Sequence, residues 1–276
     1  MFPVRVDPEV ARQCSEQAWS RTEEIVGALQ AEDARGESWA ATPSLLAGWT
    51  RLTVACHLRY GARACRRMTS ESLERKETSF YPAGRATQRP GTLVAAEGES
   101  SSDVLASLLA QSRRLHELWS GLSPSQWQTR ATEPAANPDL GAIPLGVLAV
   151  LRLTEVDVHG VDLDVGLSDW SELFVRVALP VRLAMLASRR RDPSLSNPGV
   201  EGSWKLIGDD GLCWVVSLRD GVVNSEPADP DATADAEIRS TSRDLIAMLL
   251  GRPRDPGVLS GNAELARSFT KAFPAP

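Results

Sequence analysis

Residues 144–166, PLGVLAVLRLTEVDVHGVDLDVG, constrain this chain more than any other stretch. Within them Arg152, Glu155, His159 and Asp162 follow at steps of three, four and three, the repeat of a single α-helical face. The apolar run ahead of them predicts a mostly buried helix whose polar stripe points inward or into a cleft. A carboxylate and an imidazole four residues apart carry Cβ atoms roughly 5–6 Å from each other, close enough to hold one metal ion. A further ligand must then come from another helix.

Only three histidines are present, His57, His116 and His159. His57 lies in GWTRLTVACHLRYGARA, a second predicted helix, and with Glu155 and His159 it completes a two-histidine, one-carboxylate set. Three protein ligands and an open position suit a catalytic zinc, while iron, nickel or another divalent metal accepts the same set. The bland alternative is that both histidines are satisfied core residues and that Glu155 pairs with Arg152. His116 reads as a surface residue. Cys56 is turned about 100° from His57 on an ideal helix and faces another neighbour.

Helical periodicity predicts helices over 8–29, with Asp7 as cap and Pro8 in the first position, and over 45–68, 102–122, 144–162 and 170–190. Residues 78–102 and 131–143 read as loops. Beyond 198, short strands are expected at 203–207, 212–218, 222–224 and 236–240. Asp209-Asp210-Gly211 and Asp220-Gly221 mark hairpin turns, and helices follow at 242–250 and 262–273. The fold class is therefore a four-helix bundle, residues 1–168, followed by a bridging helix and a small α+β domain on an antiparallel sheet, residues 169–276.

The net charge of -6 argues against broad nucleic-acid or anionic-membrane binding, and the arginine run at 189–191 reads as a solvated helix end. No apolar run reaches the length of a membrane span, and no signal peptide is recognisable, so a cytoplasmic location is expected. The four cysteines show no CxxC spacing and are expected to be free.

GWTRLTVACHL, followed downstream by IPLGVLAVLRLTEVDVHGVDLDVG, resembles the mycothiol-dependent maleylpyruvate isomerase family. The resemblance continues through WKLIGDDGLCWVVSLRDG, DATADAEIRSTSRDLIAMLLGR and GNAELARSF. It implies a DinB-like helix bundle with a sterol-carrier-like domain behind it. It also implies zinc on His57, Glu155 and His159, these three being catalytic as well, with mycothiol as the thiol cofactor. The partners implied are that low-molecular-weight thiol and a small electrophile, acted on by isomerisation or by thiol S-transfer, in a monomer or homodimer. Arginines clamp carboxylates well. Arg152 shares the ligand face, Arg85 and Arg89 follow a Tyr-Pro similar to one near the family's site, and these three are the candidate cofactor-binding residues. Arg252, in LLGR, matches a recurring Gly-Arg and is read as a further catalytic residue. Asp162 is expected to orient a ligand histidine. The competing function is a non-catalytic ligand-binding or stress-response protein of the same fold.

Overall fold

Asp7 and Pro8 open the first helix as their residue types predict. The Asp7 carboxylate accepts from the Glu9 N–H at 2.8 Å, and Pro8 occupies the first helical position, where an N–H would have had no partner. This helix, α1, runs Pro8–Ala34. The structure, a computed structural model, describes residues 4–35, 38–135, 141–188 and 200–275. The predicted arginine run at 189–191 lies outside them. Among the described residues two compact units result, one of Arg5–Phe174 and the other beginning at Val175.

In the first unit α1 is followed by a 3-10 turn at Trp39–Ala41, then α2 (Arg51–Leu73), α3 (Arg85–Thr92), α4 (Ser101–Ser120) and α5 (Pro124–Trp127). Two short strands, β1 (Arg130–Ala131) and β2 (Ile143–Pro144), pair antiparallel and lead into α6 (Leu145–Asp162). Helix α1 packs on α6 and α4, and α2 packs on the same two, so four long helices close a ring in the order α1–α6–α2–α4. Ile25, Leu29, Val54, Leu58, Leu108, Leu153 and Val156 are all buried in it. Each such side chain contributes about 1.5–3 kcal/mol through its removal from water.

Two local features depart from the sequence reading. Helix α2 begins at Arg51 rather than near residue 45, because Gly48 takes a positive φ of 79° and Thr50 caps the helix by accepting from the Thr53 N–H at 3.2 Å. The residues ahead of it form a tight turn in which Pro43 pairs with Thr50. The stretch 78–102, expected to be loop, carries α3. An aromatic group ties this helix to α2: the Tyr60 and Tyr81 rings stack at 5.3 Å, and Tyr60 Oη donates to the Phe80 carbonyl and accepts from Gln88 Nε2.

The second unit holds most of α7 (Glu172–Ser188) and a five-stranded sheet. Its strands are β3 (Gly202–Ile207), β4 (Cys213–Arg219), β5 (Val222–Pro227), β6 (Ala236–Arg239) and β7 (Val258–Gly261), in the order β5-β4-β3-β6-β7. Both predicted hairpins form, and Asp220 and Gly221 take the positive φ values, 50° and 73°, that their tight turn needs. The sheet is mixed rather than antiparallel: residues 228–235 carry the chain back past β4, and β6 then lies parallel to β3. Helix α8 (Ser242–Leu250) follows. The single helix expected at 262–273 is two, α9 (Ala263–Arg267) and α10 (Phe269–Ala272), parted at Ser268, whose hydroxyl donates to the Leu265 carbonyl. Among the described residues no helix is long and apolar enough to cross a membrane.

Candidate metal centre

The two ligand-bearing helices are neighbours in the ring, and their polar positions meet between them. His57 Nε2, from the second turn of α2, lies 2.7 Å from Glu155 Oε2 on α6, and His159 Nε2 lies 3.4 Å from the same oxygen. One donor atom from each of the three falls within 4.8 Å of the others. The two imidazole planes stand at 89° with centroids 5.0 Å apart. A tetrahedral ion with bonds near 2.0–2.1 Å places its ligand atoms about 3.3 Å apart, so the donors need only small rotations to receive one.

Asp162, one turn beyond His159, faces the other ring nitrogen: its Oδ2 lies 2.8 Å from His159 Nδ1. A proton shared there turns Nε2 toward Glu155, the arrangement that orients a ligating histidine. His57 has no such help. Its Nδ1 is buried and has no hydrogen-bond partner among the described residues.

The charges follow from these contacts. Burial alone would push the Glu155 carboxyl up, but its bonds to His159 and His57 hold it well below the usual 4.5. Burial would likewise lower His159, yet Asp162 and Glu155 outweigh it and raise the imidazole from 6.5 to about 9. His57 is lowered, chiefly by burial, with the charges of His159 and Arg89 adding to it against Glu155. Without an ion, one proton on His159 thus balances part of the charge of two carboxylates, and a divalent cation could take its place. The cluster is open on one side: the Glu155 side chain keeps 37% of its surface, against 14% for His57 and 13% for His159.

Trp49, not singled out in the sequence as a site residue, reaches this cluster. Its ring meets His57 edge-on at 5.5 Å and lies nearly parallel to His159 at 6.2 Å. The available signal was its place immediately before the Thr50 cap, but the misplaced start of α2 hid it.

The arginines divide. Arg89, on α3, stands 5.5 Å from the Trp49 ring centroid and acts electrostatically on His57, so it belongs to the neighbourhood of the cluster. Arg85 stands over the Tyr81 ring at 5.6 Å. Arg152 is buried, and its guanidinium donates to the Leu58 carbonyl at 2.8 Å and to Ser112 Oγ at 3.1 Å, tying α6 to α2 and α4. The bare Gly61 leaves it room, since a Cβ there would come within 3.1 Å of Arg152 Nη1. These two bonds place the Arg152 guanidinium in the packing between the three helices. Arg252 follows α8 in the other compact unit and donates to the Leu250 carbonyl. His116, with the Ser15 hydroxyl 3.2 Å from its Nδ1, stands apart from the cluster, and no disulfide joins any of the four cysteines.

A family model described as "Mycothiol maleylpyruvate isomerase N-terminal domain" matches residues 15–164, more than half of the chain. A crystal structure of the mycothiol-dependent maleylpyruvate isomerase, 18% identical, aligns with a TM-score of 0.61. A second, of a histidine-to-alanine mutant of that isomerase, is 17% identical with a TM-score of 0.63. Each alignment covers 93% of this chain and 95% of the other. At these identities the likeness speaks for the fold. No curated protein sequence matches.

Proposed function

Because this chain belongs to the mycothiol maleylpyruvate isomerase family, we propose that it is a mycothiol-dependent enzyme catalysing cis–trans isomerisation of a maleylpyruvate-type substrate. We assign His57, Glu155 and His159 as ligands of one divalent metal, zinc by preference. The observation that supports this most is the convergence of two imidazoles and one carboxylate from two helices on a partly open point. A divalent ion held by these three side chains would supply the positive charge that favours the thiolate form of an incoming thiol, the nucleophile that a reversible addition to an activated alkene requires.

The chain's own residues prepare the site. Glu155 enters it ionised, and Asp162 keeps His159 Nε2 aimed inward. Arg89, already beside Trp49 and His57, is the arginine best placed to hold a substrate or thiol carboxylate, with Arg85 one turn earlier on the same helix. Thiol S-transfer would use the same residues and differs in its product.

The test is to incubate zinc-loaded protein with maleylpyruvate, with and without mycothiol, and to follow the alkene protons by NMR. Formation of the trans isomer only when the thiol is present supports isomerisation. A stable thioether product would favour S-transfer. No change with either would defeat the enzymatic reading for this substrate.

A further inference from the structure

The two histidines of the proposed centre are unequally held. A ligating imidazole normally donates its second N–H to an acceptor that fixes the plane of the ring. His159 has Asp162 for this, whereas the Nδ1 of His57 is buried and lacks a partner among the described residues. The second torsion of histidine has only a broad preference, so something else must set the plane of His57.

Besides the other two members of the cluster, the Trp49 ring packs against it, meeting His57 edge-on at 5.5 Å and lying within 17° of parallel to His159. Trp49 is itself firmly placed. Its carbonyl accepts from the Ser44 N–H and the Ser44 hydroxyl, both at 2.9 Å, and its N–H donates to the Leu46 carbonyl. The same turn reaches the far end of the centre, because the Leu45 N–H donates to the carbonyl of Asp162 at 2.8 Å. One turn of chain therefore joins the start of the His57 helix, the Trp49 ring and the end of the His159 helix. Arg89 stands over the Trp49 ring.

We propose that Trp49 is the positioning residue of the centre: its ring sets the plane of His57, the task that Asp162 performs for His159. The inference rests on the metal reading of His57, Glu155 and His159. It is specific to an aromatic side chain, since a flat ring restrains an imidazole in both tilt and rotation.

Cobalt(II) tests it, because its visible absorption bands report coordination geometry. Full-length wild type, Trp49→Phe and Trp49→Ala would be stripped with chelator and titrated with the ion alone. We expect one cobalt per chain in wild type, similar affinity and bands in the Phe variant, and about 10–100-fold weaker binding with altered bands in the Ala variant. Trp49→Leu, which keeps bulk without a flat ring, replaces the Ala variant if that one does not fold, and the same loss is expected. An Ala or Leu variant that melts earlier but keeps wild-type affinity and bands would reduce Trp49 to packing and overturn the proposal while leaving the centre intact. Wild type that binds no cobalt would overturn the metal reading and this inference with it.

Discussion

Two histidines of the helical unit wear nearly the same dress. His159 lies almost parallel to Trp49, and Arg89 stands 5.5 Å from that ring; His116 lies almost parallel to Trp19, and Arg113 stands 5.6 Å from that one. The difference is in the oxygen atoms. His159 sees the carboxylates of Glu155 and Asp162 and the second imidazole of His57, whereas His116 meets the hydroxyls of Ser15 and Ser120. Stacked aromatic and guanidinium groups therefore mark ordinary packing between helices as readily as a site. Converging donors with negative charge distinguish one of these histidines as a candidate ligand.

The strongest way to break the comparison is to remove a donor on each side. His57→Ala and Glu155→Ala should each lower bound zinc from about one per chain to near zero, a larger loss than the ~10–100-fold that removal of an outer partner costs. His116→Ala should leave zinc unchanged. Elemental analysis of the purified variants decides it, and equal zinc in all of them would erase the distinction.

Asp162→Asn comes next. It keeps an acceptor but removes the charge behind His159, and zinc affinity should fall about 10–100-fold in competition with a chelating dye. Unchanged affinity would mean that Asp162 serves only the end of α6.

A pH series sharpens the same point. The folded-state pKa of His159 is raised from 6.5 to about 9, so its ion pairs stabilise the metal-free protein fully below the ordinary imidazole value. That stability should be lost as pH rises from about 6.5 through about 9. Thermal melting of metal-free protein should show this decline, Asp162→Asn should show less of it, and the zinc-loaded protein should lack it. A parallel decline in all three would place its origin elsewhere.

The smallest effect is expected at the other histidine. Ser15→Ala removes one part-buried hydrogen bond to His116 and should cost about 0.5–1.5 kcal/mol in urea unfolding, with zinc affinity untouched.

Legibility in the sequence followed how local each determinant is. The stripe on α6 was readable because Glu155, His159 and Asp162 are set by helical spacing alone, which also brings Asp162 Oδ2 to 2.8 Å from His159 Nδ1. His57 was harder, since nothing local says which helices become neighbours. It was found because histidines are few and because GWTRLTVACHL resembles the family pattern. Arg152 shows the limit of the helical wheel. Its Cβ shares the ligand face, but its long side chain reaches past the bare Gly61 to the Leu58 carbonyl, an acceptor visible only once α2 and α6 are packed. Trp49 and α3 were missed because their places depend on a positive φ at Gly48 and on the Tyr60–Tyr81 stack. The parallel β3–β6 pair depends on the return of residues 228–235, which no turn motif announces.

X-ray absorption at the zinc edge of the loaded protein, free of added thiol, tests the central claim most directly. The account predicts nitrogen and oxygen donors at about 2.0–2.1 Å, with the outer-shell pattern of two imidazoles and no sulfur. A sulfur shell near 2.3 Å, or a spectrum with fewer than two imidazoles, would contradict it and move the metal away from His57, Glu155 and His159.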